Sequence, residues 1–239
     1  MSEETVTLII DGELVEAKEG QTILQAAEAA GIYIPRLCYH PDLPPAGHCR
    51  VCTVKVNGRA TSSCLCPVSE GIVIETDTDE LNELRRSIIE MLFVEGNHYC
   101  PSCEASGRCE LQALGYRFGM LAPTMPYQYP KRELDATHPD VFVDRDRCIL
   151  CGRCVRASKI LDKKNVFGFQ GRGPWKRVAV NGERGLGETD MEATDAAARI
   201  CPTGSLVVKR KGYDVPVGRR RYDQLPIGAE IEQKKEAGE

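Results

Sequence analysis

Twelve of the 239 residues are cysteine, and they fall into three groups whose spacing suits metal ligation. Cys148, Cys151 and Cys154 stand in RCILCGRC, and Cys201-Pro202 follows far downstream in ICPTGSL. A Cys-x2-Cys-x2-Cys run with a later Cys-Pro is the 4Fe-4S pattern of bacterial ferredoxins. In two-cluster ferredoxins the Cys before Pro serves the other cluster. With one triplet and one Cys-Pro here, Cys201 must close the same cluster as the triplet. A second group is Cys38, Cys49 and Cys52, closed by Cys64 or Cys66. Four thiolates around two irons make a 2Fe-2S centre. The ten residues between Cys38 and Cys49 separate this group from the plant-type pattern. The third group, in NHYCPSCEASGRCELQ, has only Cys100, Cys103 and Cys109. His98 is the candidate fourth ligand. A neutral imidazole in place of a thiolate removes one negative charge and raises a cluster's potential. Zinc is the alternative for such sets; ligand softness and spacing favour iron and sulfide.

The rest of the composition narrows the context. Net charge is −4, which gives no electrostatic footprint for nucleic acid. The start, MSEETVTLII, lacks the basic end and long apolar run of a secretory signal, and no segment nears eighteen apolar residues. A reducing cytoplasmic setting is expected, where clustered cysteines serve as metal ligands rather than disulfides.

The elements that must position these groups can be read from pattern. Residues 5–17 alternate about Asp11-Gly12, and residues 51–64 flank Asn57-Gly58, two hairpin signals. Between them Thr22 and Gln25 form a capping box ahead of an apolar helix ending near Gly31. With IVIE at 72–75 as a further strand, residues 1–78 are expected to form a β-grasp 2Fe-2S domain. A helix from Asp79 to about Val94, with Leu81, Leu84, Ile88, Met91 and Leu92 at helical spacing, leads into a small 4Fe-4S segment over 79–119. The four prolines of 120–140 suggest a linker. Strands near VFVD, VFGF, RVAV and LVVK with two helices make 141–210 a ferredoxin-like unit, and 211–239 a charged C-terminal arm. The fold class is α+β.

No catalytic group and no small-molecule cofactor site stands out. There is no P-loop, NGERGLGE reads as a loop, and no Ser-His-Asp set or paired carboxylates are evident. Arg50, Arg108, Arg147 and Arg153 lie beside ligands and are candidates to offset cluster charge, with solvated surface residues as the equal alternative. Trp175 reads as a core or interface anchor, and Arg219, Arg220 and Arg221 as a solvated run. A hairpin at Asn57-Gly58 would put Cys64 beside Cys52 and Cys66 opposite Cys49. Both have the same strand parity, so geometry leaves the closing cysteine open.

These motifs, in this order, resemble the N-terminal iron–sulfur region of the 75-kDa-type subunit of respiratory complex I over roughly residues 3–210. The shorter chain, with EGNHYCPSCEASGRCELQALGYR and GRRRYD, resembles the diaphorase iron–sulfur subunits of cytoplasmic NAD-reducing nickel–iron hydrogenases. The resemblance implies one 2Fe-2S and two 4Fe-4S clusters. Its Cys-x-x-Pro-Val context matches Cys64 to Val68 and so implies Cys64 as the closing ligand. It also implies His98 as a ligand, although the complex I pattern has three residues before the first Cys where only Tyr99 stands here. The implied role is a non-catalytic electron relay between a flavoprotein NADH-oxidising subunit and the small and large hydrogenase subunits. The equivalent subunit of a formate dehydrogenase, an iron-only hydrogenase or an NADH:quinone oxidoreductase is the alternative, and a multi-zinc structural module is the alternative of another class.

Overall fold

The structure, a computed structural model, describes residues 4–237, with side chains through residue 235. Strands β1 (Thr5–Ile10) and β2 (Glu13–Lys18) pair through Asp11 and Gly12, both at positive φ, as a type I′ hairpin requires. The second hairpin, β3 (Thr53–Val56) and β4 (Arg59–Ser62), turns in the same way on Asn57 and Gly58. Strand β5 (Val73–Glu75) joins the two, parallel to β1 and antiparallel to β3, in a sheet of order β2-β1-β5-β3-β4. Helix α1 (Ile23–Ala29) starts on the Thr22–Gln25 capping box and buries Ile23, Leu24, Ala26 and Ala27 against this sheet.

Helix α2 (Asp79–Glu95) is capped by Thr78, and its inner face differs from the expected one. Leu81 is buried, but Leu84 and Met91 are exposed, and Arg85, Ile89, Glu90 and Val94 face inward instead. The reason is polar. Arg85 donates to the Thr53 carbonyl at 2.9 Å and to Asn82 at 3.1 Å, so a charged residue holds a place that hydrophobicity alone would deny it. Buried Glu90 accepts from the backbone and hydroxyl of Thr124 and from the Met125 backbone, which pins the proline-rich stretch. That stretch is more than a linker. It contributes β6 (Leu134–Asp135) to a three-stranded sheet with β7 (Val141–Asp144) and β10 (Leu206–Val208).

The last compact unit holds α4 (Arg153–Ile160), the hairpin β8 (Phe167–Gln170) and β9 (Arg177–Val180), and α5 (Ala196–Arg199), around Val141, Ala157, Val178 and Leu186. Trp175 lies outside this core at 83% exposure. Helix α3 (Glu110–Arg117) follows the second cysteine group, and α6 (Ala229–Ala237) ends the arm. A third apolar cluster ties the parts together. Leu37 and Val51, Ile89, Leu111 and Leu114, Ile149 and Ile227 meet there from every region of the chain. Each fully buried aliphatic side chain contributes about 1.5–3 kcal/mol. Among the described residues no helix is long and apolar enough to cross a membrane.

Candidate metal centres

At the edge of the first sheet Cys38, Cys52 and Cys64 are buried and Cys49 is half-buried. The Cys38 thiol lies against those of Cys49 and Cys64, and Cys52 against Cys64. The Cys38 backbone N–H also points at Cys49 Sγ, 3.4 Å away. Hydrogen bonds within the set hold the Cys38 and Cys52 thiols low and push Cys49 and Cys64 up, so the four titrate as one coupled group. The β3–β4 ladder stops at Thr53↔Ser62. Ser63 then donates to the Cys52 carbonyl, and the following turn brings Cys64 inward. Cys66 is turned away, with its Sγ 3.7 Å from the Pro67 carbonyl.

Cys148, Cys151, Cys154 and Cys201 wall a small cavity of about 20 Å³ with Val143, Ile149, Phe167 and Leu206. Burial pushes the Cys148 thiol up to about 11 and Cys151 up to about 12, with mutual repulsion adding to it. Bare thiolates are unfavourable in so dry a space, and a cationic metal centre held there would remove the penalty. Gly152 begins α4 at φ +70°, where a Cβ would stand 3.0 Å from His48 Nδ1.

The Cys100, Cys103 and Cys109 set lines a small cavity of about 10 Å³ together with His98. The His98 ring is held by a hydrogen bond to the Leu92 backbone, while its Nε2 is buried with no partner. Burial lowers its pKa to about 4, so the ring is neutral and Nε2 carries a free lone pair. An orphaned imidazole nitrogen beside three thiols has the chemistry of a fourth ligand and fits the group.

The second and third sites are neighbours. A Cβ on Gly204 would stand 2.6 Å from Cys103 Sγ, so only glycine lets the chain after Cys201 approach. Arg147 Nη1 reaches Cys103 Sγ at 3.5 Å, its Nε is held by Asp144 at 2.9 Å, and its carbonyl accepts from Thr203, whose Oγ1 lies 3.6 Å from Cys201 Sγ. Arg153 grips Glu110 with two bonds of 2.7 Å, joining α4 to the start of α3. The first site meets the third through His48, beside Cys49, which is 3.1 Å from the Cys151 carbonyl, and through Arg156, bonded to the Cys38 carbonyl at 2.5 Å. The chain's last cysteine group therefore lies between the other two. Of the four arginines singled out in the sequence, only Arg147 contacts a sulfur. Arg153 is neutralised by Glu110, and Arg50 and Arg108 are exposed. Glu110, His48 and Gly204 carry these junctions without belonging to any ligand motif. Among the described residues no group of three or more His, Cys, Asp or Glu side chains closes around a single ion.

Comparison with known proteins gives these sets a context. Family models match residues 3–79 (a 2Fe-2S iron–sulfur cluster binding domain), 85–123 (the NADH-ubiquinone oxidoreductase-G iron–sulfur binding region) and 141–208 (a 4Fe-4S single cluster domain). The NAD-reducing hydrogenase HoxS subunit gamma of Cupriavidus necator is 43% identical over 228 residues, 94% of this chain and 96% of that protein. The mitochondrial NADH-ubiquinone oxidoreductase 78 kDa subunit of Candida albicans is 35% identical over 208 residues, 85% of this chain but 28% of that one. Among solved structures, a chain of an NAD+-reducing [NiFe]-hydrogenase in the H2-reduced state superposes with a TM-score of 0.92 at 45% identity. The match covers 96% of this chain and 98% of that one.

Proposed function

This chain belongs to the family of iron–sulfur subunits of NAD-linked oxidoreductases, and on that premise we propose that it relays single electrons between a flavin-bearing NAD(H) subunit and a hydrogenase module through one 2Fe-2S and two 4Fe-4S clusters. The ligands in this reading are Cys38, Cys49, Cys52 and Cys64 for the first. They are His98, Cys100, Cys103 and Cys109 for the second, and Cys148, Cys151, Cys154 and Cys201 for the third. Bound there, iron–sulfur clusters supply one-electron redox capacity, with potentials set by ligand type, hydrogen bonds and burial.

The observation that carries the reading is adjacency. Three sulfur sets meet within one apolar interior, joined by His48 to Cys151 and by Arg147 to Cys103. This chain's residues do the rest. They bury the sulfurs, exclude water, and aim N–H donors at them, from the Cys38 backbone to Cys49 and from the Gln112 backbone to Cys109 at 3.5 Å. Such donors stabilise negative charge on sulfur.

Anaerobic purification with metal analysis and mass spectrometry of bound subunits tests the assignment. Flavin- and nickel-bearing subunits are expected to accompany the chain. Accompanying subunits that hold flavin but no nickel would move it to another NAD-linked complex, and a colourless zinc protein would contradict it.

A further inference from the structure

The C-terminal arm builds a surface that the relay reading leaves unused. Residues 211–222 fold back over the loop that carries Cys103 and Cys109. Tyr213 donates to the Ser102 carbonyl at 2.7 Å, and the Tyr222 backbone donates to the Gly107 carbonyl at 2.9 Å. Between this arm and the end of α5 lies a cleft with Cys201 in its lining. Seven arginine and lysine residues line it against three acids, in a chain whose net charge is −4.

Glu110 is gripped by Arg153, which leaves Glu104 and Asp214 against six cations. The expected solvated run also divides. Arg220 is tied to Asp223, and Arg221 lies over the Tyr222 ring, 3.9 Å from Glu230. Arg108, Arg199, Lys211 and Arg219 remain exposed around the rim. Val217 is 82% exposed and Val215 50%, an apolar centre inside a basic border. An apolar centre with a charged rim is the anatomy of a docking surface, and a cation-rich rim in an acidic chain selects an acidic partner by charge complementarity.

We propose that this cleft docks an acidic face of a neighbouring subunit of the oxidoreductase complex, one that lays an apolar side chain against Val215 and Val217. A partner seated there stands over the loop of the second site and beside Cys201 of the third. The proposal rests on the electron-relay reading for the purpose of that contact, but its test does not depend on electron flow.

Hydrogen exchange on the intact complex, compared with the isolated holo-chain, should show residues 104–110 and 211–221 slowed on assembly. Unchanged exchange in both segments would overturn the proposal. The double variant Lys211→Glu/Arg219→Glu should associate at least tenfold more slowly with the remainder of the complex at low salt. The difference should shrink at 1 M salt, where screening shortens to about 3 Å. An association rate equal to wild type at low salt would also overturn it. Iron content and electron paramagnetic resonance lines separate lost docking from lost clusters. If the double variant loses iron, Lys211→Gln/Arg219→Gln and the wild-type exchange data decide. Protection reproduced by inorganic phosphate alone would make this a small-anion site and contradict a protein partner.

Discussion

Arg147 is the residue whose charge sits closest to a sulfur set that is already one charge short of four thiolates. Asp144 fixes its Nε, so the guanidinium cannot swing from Cys103 without breaking an ion pair. A cation beside a cluster favours the reduced, more negative state. Arg147→Met should therefore lower the midpoint potential of the His98-containing site by on the order of 60 mV, the one-electron equivalent of about 1.4 kcal/mol. Redox titration followed by electron paramagnetic resonance reads this, with Arg147→Lys giving the smaller shift; no shift would remove Arg147 from potential setting. His98→Ala should lose or shift one 4Fe-4S signal while the other two sites persist. Cys64→Ala should abolish the 2Fe-2S signal and Cys66→Ala should leave it, as the Cys66 thiol faces its own Pro67 carbonyl. At this scale the sequence was most informative, because ligand spacing is local chemistry. The choice of Arg147 over Arg50, Arg108 and Arg153 was not legible. It depends on the approach of the Gly204 segment to Cys103, which no local pattern encodes.

Among the elements, hairpins and caps were readable because their chemistry is local. Asp11-Gly12, Asn57-Gly58 and Thr22–Gln25 act within a few residues. The inner face of α2 was not, since Arg85 is placed by the Thr53 carbonyl on a distant strand. The α3–α4 clamp is equally non-local. Arg153 is 4% exposed and among the described residues its ion-pair partner is Glu110, so Arg153→Met leaves a half-buried carboxylate unpaired. A loss of about 3 kcal/mol is expected, read as a lower denaturant midpoint, with Arg153→Met/Glu110→Leu recovering part of it. In the arm, hydrogen bonds from Arg220 hold Asp223 down to about 2, from an ordinary 3.8. Because its folded pKa is depressed, this contact stabilises the arm fully above about pH 4 and is lost as pH falls toward 2. Hydrogen exchange at residues 218–223 should accelerate over that window in wild type. In Asp223→Asn it should be fast throughout.

On the scale of the molecule, chain order and spatial order differ. The second cysteine group in sequence lies beyond the third, because β7, α4 and α5 carry the third group in between the other two. His48 and Arg147 mark the two junctions. Cysteine spacing names each site but says nothing of their order, which is set by the shared apolar cluster of Leu37, Ile89, Leu111 and Ile149. Three iron–sulfur clusters in one chain have a fixed stoichiometry, and counting iron and labile sulfide tests their presence most directly. Protein purified anaerobically should be brown and bleach on reduction. It should carry about ten irons and about ten acid-labile sulfides per chain, the sum for one 2Fe-2S and two 4Fe-4S clusters. A colourless protein with about three or more zinc ions per chain and no labile sulfide would contradict it.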